Sequence, residues 1–112
     1  MPRYLISFDD GAMTFPEADL AAVDAAAHAV VRQAQDAGVW IFGGGLRTQR
    51  ASIVATDGKI ADGPDPETKA VIGGFAIIEV PSREEALNWA AKIAAACRCA
   101  QEVREIMFDP LV

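Results

Sequence analysis

The sequence lacks the features that mark membrane-spanning and nucleic-acid-binding proteins. No run of apolar residues approaches the ~20 that a transmembrane helix needs. Basic side chains are scarce, because 10 Lys and Arg residues stand against 16 Asp and Glu residues, for a net charge of −6. A chain of this charge repels a phosphate backbone, so we expect no nucleic-acid partner. Because the chain has no long apolar run, we also expect no membrane partner. Met1–Tyr4 leads directly into a strand-like stretch without a secretory signal pattern, which predicts a cytoplasmic location.

Cysteine and histidine are equally scarce. Cys97 and Cys99 are too close in sequence for an ordinary disulfide within one element, and His28 is the only histidine. Two thiols do not complete a tetrahedral zinc site, so we expect no metal. We interpret the cysteines as reduced thiols near a helix end, typical of a reducing compartment. Gly43–Gly45 lacks the spacing of dinucleotide and phosphate loops, and no other cofactor motif is present, so we expect no cofactor.

The residues that are present predict one globular domain over residues 1–112, since 52% of them are hydrophobic. Apolar runs and alternation indicate strands at 3–8, 39–42, 51–56, 59–61, 75–80 and 101–108. Asp57-Gly58 is a two-residue hairpin signal. One helix is predicted to start at Thr14–Glu17 and to stop at Gly38, and another to run from the Ser82–Glu85 capping box to about residue 96.

This order of elements is βαββαβ with a hairpin insertion, the ferredoxin-like plan of the α+β class. Both helices then pack on one face of an antiparallel sheet. Ile, Val, Phe and Trp occupy both phases of several strands, so the other face also needs a cover. A second copy is the simplest cover. We therefore predict a homodimer in which two sheets meet as a dimeric α+β barrel.

The most specific pattern in the chain begins at Asp62. Asp62-Gly63-Pro64 is followed by Glu67-Thr68-Lys69 and Gly73-Gly74-Phe75, and later by Glu102-Val103-Arg104. In this order and spacing the sequence resembles the YCII-related family, specifically its DGPF-domain branch. Two positions depart from that branch: Asp65 stands where a phenylalanine is expected, and Ala70 where a glutamate is common.

The resemblance covers essentially the whole chain and implies a dimeric α+β barrel. Relatives on this barrel include monooxygenases, isomerases and lyases, so the fold alone does not determine the activity. We expect a small organic molecule in a barrel cavity, with cofactor-independent acid–base isomerisation or elimination as the catalytic form of this function. The alternative is a non-catalytic interaction or regulatory module, for which the dimer itself is the working unit.

Asp24 and His28 are the candidate catalytic pair. They lie four residues apart on the first predicted helix, so their side chains can meet at the edge of its apolar stripe. A carboxylate that holds an imidazole is suited to general-base catalysis. The alternative is an ordinary pair on an exposed helix flank, worth about 0.3–0.5 kcal/mol.

A candidate binding loop surrounds the Asp-Gly-Pro turn. Turn chemistry alone accounts for this tripeptide, because Asp62 accepts backbone N–H bonds, Gly63 adopts a turn dihedral and Pro64 fixes its own φ. In the functional interpretation the loop rims the cavity, and Glu67 and Lys69 supply polar groups to a ligand.

Arg104 completes the candidate binding residues. It shares one face of the last predicted strand with Glu102, because side chains two residues apart in a strand point the same way. If this face turns into the barrel, the two residues form a buried ion pair in the cavity. If the face lies at the dimer seam, the pair sets the register of the two copies.

Overall fold

A computed structural model describes residues 1–47, 51–63 and 72–112. The strands of these residues are β1 (Arg3–Asp9), β2 (Trp40–Gly45), β3 (Ser52–Val54), β4 (Ile60–Asp62), β5 (Ile72–Glu79) and β6 (Glu102–Glu105). Their helices are α1 (Leu20–Asp36), which a 3-10 turn at Glu17–Asp19 precedes, and α2 (Arg83–Cys97). Neither of these helices has the length and apolar character needed to cross a membrane.

One antiparallel sheet has the strand order β2-β5-β1-β6, and β3 and β4 form a separate hairpin. β5 lies between the strands that α1 connects, and β1 lies between the strands that α2 connects. Both crossovers are therefore split βαβ units, as the ferredoxin-like plan requires. The α+β class and the predicted order of elements are confirmed, with β3 and β4 as the hairpin insertion.

Local sequence signals account for two of the four ends of α1 and α2. Ser82 caps α2 as predicted, and its Oγ accepts a hydrogen bond from the Glu85 backbone N–H at 3.2 Å. Gly38 follows α1 with a φ of 74°, the left-handed conformation that glycine adopts readily. The predicted start at Thr14 is wrong, because the Asp19 N–H bonds to the Pro16 carbonyl at 2.8 Å and forms a tight 3-10 turn before the α-helix begins.

The hairpin turn has the predicted position and one more residue than predicted. The Gly58 N–H bonds to the Ala55 carbonyl at 2.9 Å, and the Ala55 N–H bonds to the Lys59 carbonyl at 2.8 Å. Residues 56–58 therefore form the loop, and Gly58 has a φ of 85°. This is the three-residue alternative to the tighter hairpin, in which a left-handed glycine follows a turn.

The last strand is shorter than predicted, because its neighbour β1 begins only at Arg3. The Ile106 N–H still bonds to the Arg3 carbonyl at 2.9 Å, and the next residues find no strand backbone beside them. Met107 and Phe108 are 89% and 91% exposed. The chain from Ile106 onward thus leaves the sheet as an apolar segment.

The hydrophobic core lies between the helices and one face of the sheet, called the covered face below. Its buried members come from β1, β5, the residue after β5, and α2: Tyr4, Ile6, Ala76, Ile78, Val80, Ala86 and Ala90. Alternate residues of β1 and β5 supply it, as the pleat of a strand requires. The Tyr4 hydroxyl donates a hydrogen bond to the Glu105 carboxylate at 3.2 Å. Burial, helped by this bond, raises the pKa of Tyr4, so the phenol stays neutral.

The opposite face of the sheet, called the open face below, points away from the helices. Phe75 and Ile77 of β5 lie on it, and so do their cross-strand neighbours Leu5 and Phe42. The Phe42 and Phe75 rings are 5.9 Å apart between centroids. Phe42 is nevertheless 62% exposed. The sheet therefore carries apolar side chains on both faces, and a single chain covers one of them.

Candidate functional site

A cavity of about 250 Å³ opens between the two helices and the covered face of the sheet. Phe8 and Trp40 supply its aromatic walls. Aliphatic residues of α1 and α2 complete the sides, among them Val30, Val31 and Ile93, and Met13 approaches from the β1–α1 connection. For comparison, a dry apolar cavity of about 150 Å³ is large enough to hold benzene. The cavity lies on the helix side of the sheet, whereas the sequence analysis places the ligand inside a barrel of two copies.

Small residues of the sheet and helices create this space. Ala76 of β5 and Ala27 and Ala96 of the helices face the cavity where larger side chains would fill it. Gly74 makes room for the neighbouring aromatic wall, since a Cβ there would lie 2.6 Å from the Phe8 ring. The alanines of the helices and the Gly73-Gly74 pair thus leave space for the cavity and its walls, apart from their helix and strand propensities.

His28 and Gln101 bring polar groups to this lining. His28 lies on α1 at the solvent-facing side of the cavity, and its side chain is exposed. Gln101 immediately precedes β6 and is half-buried. Its Nε2 donates to the Cys99 carbonyl at 3.4 Å and to the Cys99 Sγ at 3.4 Å. An imidazole and a partly tethered amide therefore face the same apolar space.

The cysteines are both free, as the sequence analysis predicted. Cys97 ends α2 and lines the cavity, with 8% of its surface exposed. Burial, and to a smaller extent the neighbouring Cys99, raises the pKa of Cys97. Burial also raises the pKa of Cys99, against the opposing hydrogen bond from Gln101. At neutral pH both groups are protonated thiols, and the described residues form no group of three metal-ligating side chains.

Asp24 and His28 both lie on α1, four residues apart. His28 lines the cavity, and Asp24 is an exposed residue outside its lining. Over the described ranges, none of the ion pairs joins the two residues. Water-exposed side chains gain little from such a contact, which explains why helical spacing alone does not form it. The catalytic role of the pair stays a prediction.

The candidate binding loop is described only at its start. Asp62 ends β4 and is exposed, and the Gly63 N–H bonds to the Ala51 carbonyl at 2.9 Å. Gly63 is not among the glycines with positive φ, so the turn dihedral expected for it is not adopted. A Cβ at Gly63 would instead lie 3.2 Å from the Ile53 side chain, which favours glycine by close approach. Pro64, Glu67 and Lys69 lie outside the described residues, as do Asp65 and Ala70.

Arg104 lies on the open face, away from the cavity. It is the cross-strand neighbour of Leu5 and forms an ion pair with Glu102. The two side chains are 60% and 52% exposed within one chain. The open face is the one that a second copy would cover, so the barrel and seam interpretations of the pair both stay predictions.

Sequence reasoning missed Trp40 and Gln101 as lining residues. Trp40 has the pattern of an ordinary strand residue, and Gln101 follows a helix end without any motif. The signal that points to them is indirect. Small residues at helix-facing positions, such as Ala76, leave a space that the nearest large side chains must line.

Comparison with known proteins agrees with this fold. Residues 3–108 match the YCII-related domain. No curated protein matches the chain. Among solved structures it is similar to 5-chloro-2-hydroxyhydroquinone dehydrochlorinase (TftG) from Burkholderia phenoliruptrix, in complex with 2,5-dihydroxybenzoquinone, with 17% identity and a TM-score of 0.52 over 97% of this chain and 96% of that one. At this identity the likeness shows the fold alone. Because the family match spans nearly the whole chain, the protein belongs to the YCII-related family.

Proposed function

We propose that the protein binds a small organic molecule in the cavity between α1, α2 and the covered face. The observation that best supports this proposal is an apolar space of about 250 Å³ with the chain's only histidine at its solvent side. A concave apolar site with few polar groups is the usual form of a small-ligand site. TftG, which has a similar fold, holds the single ring of 2,5-dihydroxybenzoquinone in its solved complex, and this supports a ligand of that size.

His28 is the acid–base group of this proposal. Histidine is the side chain most often used as a general acid or base, and His28 is exposed to water. The catalytic form needs no cofactor. It is an isomerisation, in which a proton moves between two positions of the ligand, or an elimination, in which loss of a proton forms a double bond and a leaving group departs with its bonding electrons. In this proposal Asp24, one turn earlier on α1, orients the ring of His28. Membership of the DGPF branch, the barrel arrangement of two copies and a cytoplasmic location stay predictions beside it.

The single histidine makes this proposal directly testable by NMR. We expect the ring C–H signals of His28 to shift when phenol is added. His28→Gln should change the free energy of unfolding by less than about 1 kcal/mol, because the residue is exposed. The same substitution should weaken binding about 10-fold, the loss of roughly one hydrogen bond.

Gln35→Ala serves as the matched control, because Gln35 is exposed on α1 and does not line the cavity. It should leave the binding of phenol unchanged. A His28 imidazole signal that phenol does not shift, together with equal affinities for the His28→Gln variant and its control, would remove the support for His28 as the acid–base group.

A second proposal concerns the open face, which we infer to be covered by a second copy of the chain. Phe42 there is 62% exposed. On the separate β3–β4 hairpin, Val54 and Ile60 are 66% and 73% exposed. Large apolar side chains that are left exposed together mark an interaction surface. This pairing is the structural basis of the alternative function, in which the dimer is the working unit.

Light scattering at micromolar concentration tests the pairing. We expect about twice the chain mass of 11.9 kDa and a buried area on the order of 2,000 Å² in total. Phe42→Glu should convert the dimer to a folded monomer. Leu87→Glu is the control, because Leu87 is also an exposed apolar residue, at 45%, and lies on α2 away from the open face. A monomer mass for the unaltered protein would contradict the proposal.

A further inference from the structure

We propose that the cavity selects an uncharged single-ring molecule bearing a hydroxyl group, and that Gln101 makes the selection. The inference rests on the proposed function, because it names the ligand class of the same site. It depends on the orientation of one amide and on the character of the walls around it. Gln101 is here a specificity residue that contacts the ligand.

The orientation of the Gln101 amide follows from its contacts with Cys99. The amide nitrogen lies 3.4 Å from the Cys99 carbonyl oxygen and 3.4 Å from the Cys99 Sγ. A carbonyl oxygen attracts the N–H₂ end of an amide and repels its C=O end, so these contacts assign the two ends. Within the described part of the chain, no hydrogen bond reaches the oxygen of the Gln101 side chain. That oxygen is an acceptor, and a ligand atom that meets it must be a donor.

The walls around this amide disfavour charge. Phe8 and Trp40 present aromatic surfaces, and the Cys97 thiol is protonated because burial raises its pKa. A carboxylate that enters such a space loses its hydration and finds no fixed cation among the described lining residues. It would also meet the partial negative charge of the Gln101 oxygen. His28 is exposed at the mouth, where water screens its effect on the interior.

The size and the walls together fix the rest of the ligand class. About 250 Å³ accommodates one six-membered ring with small substituents, since about 150 Å³ already holds benzene. Aromatic walls favour a flat ring through stacked or edge-on contacts. A neutral phenol satisfies each of these conditions, because its ring fills the cavity and its O–H donates to Gln101. Toluene has the same size without the donor, and benzoate adds a charge.

These three probes form the experiment, with the Trp40 indole N–H signal as the readout of each NMR titration. We expect phenol to bind about 10-fold more tightly than toluene, the value of roughly one hydrogen bond. Benzoate should bind at least about 10-fold more weakly than phenol, because its charge must be desolvated. Gln101→Leu should remove the advantage of phenol over toluene and change the affinity for toluene less than about twofold.

Gln101→Met, which keeps the side-chain length, replaces the leucine variant if that variant fails to fold. Gln35→Leu is the matched control for introducing an apolar residue in place of glutamine, because Gln35 lies outside the cavity. The inference is overturned if benzoate binds as tightly as phenol, or if the Gln101 variants keep the phenol advantage. In both cases small-molecule binding itself still stands. If none of the three probes moves the Trp40 signal, the proposed function fails and the inference fails with it.

Discussion

Ile77 and Ile78 are adjacent residues of one strand, yet they lie in different surroundings. Ile78 belongs to the buried core, with 1% of its surface exposed, and Ile77 points to the open face and is only partly buried. Both faces of the sheet are apolar, and the helices cover one of them. The covered face contains the cavity, and the open face presents the surface that we assign to a second copy. Adjacent residues of one strand therefore belong to different surfaces, one of which we assign to ligand binding and the other to pairing.

The largest effect expected from this comparison is that of Ile78→Ala. Removal of this buried side chain should lower the free energy of unfolding by about 2–5 kcal/mol, because a cavity remains in the core. Ile77→Ala should cost less than half as much at a protein concentration where the chain is monomeric. Urea unfolding at several concentrations measures both values. If the two variants lose equal stability in the monomer, the two faces do not differ as described.

Gly43 and Gly44 sharpen the same comparison within β2. A Cβ at Gly43 would lie 2.6 Å from the Phe75 carbonyl oxygen and 2.9 Å from the Ala76 Cα, so the backbone would have to move. At Gly44 a Cβ meets no atom within 4 Å. Gly43→Ala should therefore lower stability by about 1–3 kcal/mol, and Gly44→Ala should change it by less than about 0.5 kcal/mol. Thermal unfolding of the monomer distinguishes them, and the reverse order would show that β2 is placed wrongly.

The smallest expected effect concerns the end of the sheet, where Arg3 Nε donates to a Glu79 oxygen at 2.9 Å. This hydrogen bond lowers the pKa of Glu79, against a weaker opposing effect of burial. The folded-state pKa is then below the unfolded one. The contribution is present above the ordinary glutamate pKa of about 4.3 and is lost as the pH falls through the lower folded value.

Urea unfolding of the unaltered protein and of Glu79→Gln between neutral and acid pH measures this contribution. The variant should be slightly less stable near neutral pH, and the difference should vanish toward the acid end. Both side chains are partly exposed, at 47% for Arg3 and 30% for Glu79, so the effect is small. A difference that grows as the pH falls would have the wrong sign.

Periodic sequence patterns predicted the helices and strands of this fold. They did not predict the element boundaries that depend on tertiary contacts. The Ser82 capping box and the Gly38 stop depend on only a few neighbouring residues, so the helix ends that they predict are found in the folded chain. The length of β6 depends on where β1 begins, which no local pattern within residues 101–108 contains. The start of α1 depends on a backbone bond to Pro16 that competes with capping by Thr14.

The candidate site was predictable only in part, for the same physical reason. Helical spacing located His28 at the edge of an apolar stripe, and the structure places it at the cavity. The four-residue spacing also predicted a contact between His28 and Asp24. An ion pair exposed to water is too weak for helical spacing alone to form it. Gln101 and Trp40 reach the cavity from other elements, so their role depends on the packing of α2 and β2 against the sheet.

The most direct test of the ligand site compares the two tryptophans of the chain in one NMR spectrum with phenol added. Trp40 lines the cavity, and Trp89 lies outside it on α2, with the Lys92 ammonium 4.7 Å from its ring centroid. Binding in the cavity predicts a saturable shift of the Trp40 indole N–H signal and an unmoved Trp89 signal. A shift of Trp89 alone, or equal shifts of both signals without saturation, would contradict the assignment of this cavity as the ligand site.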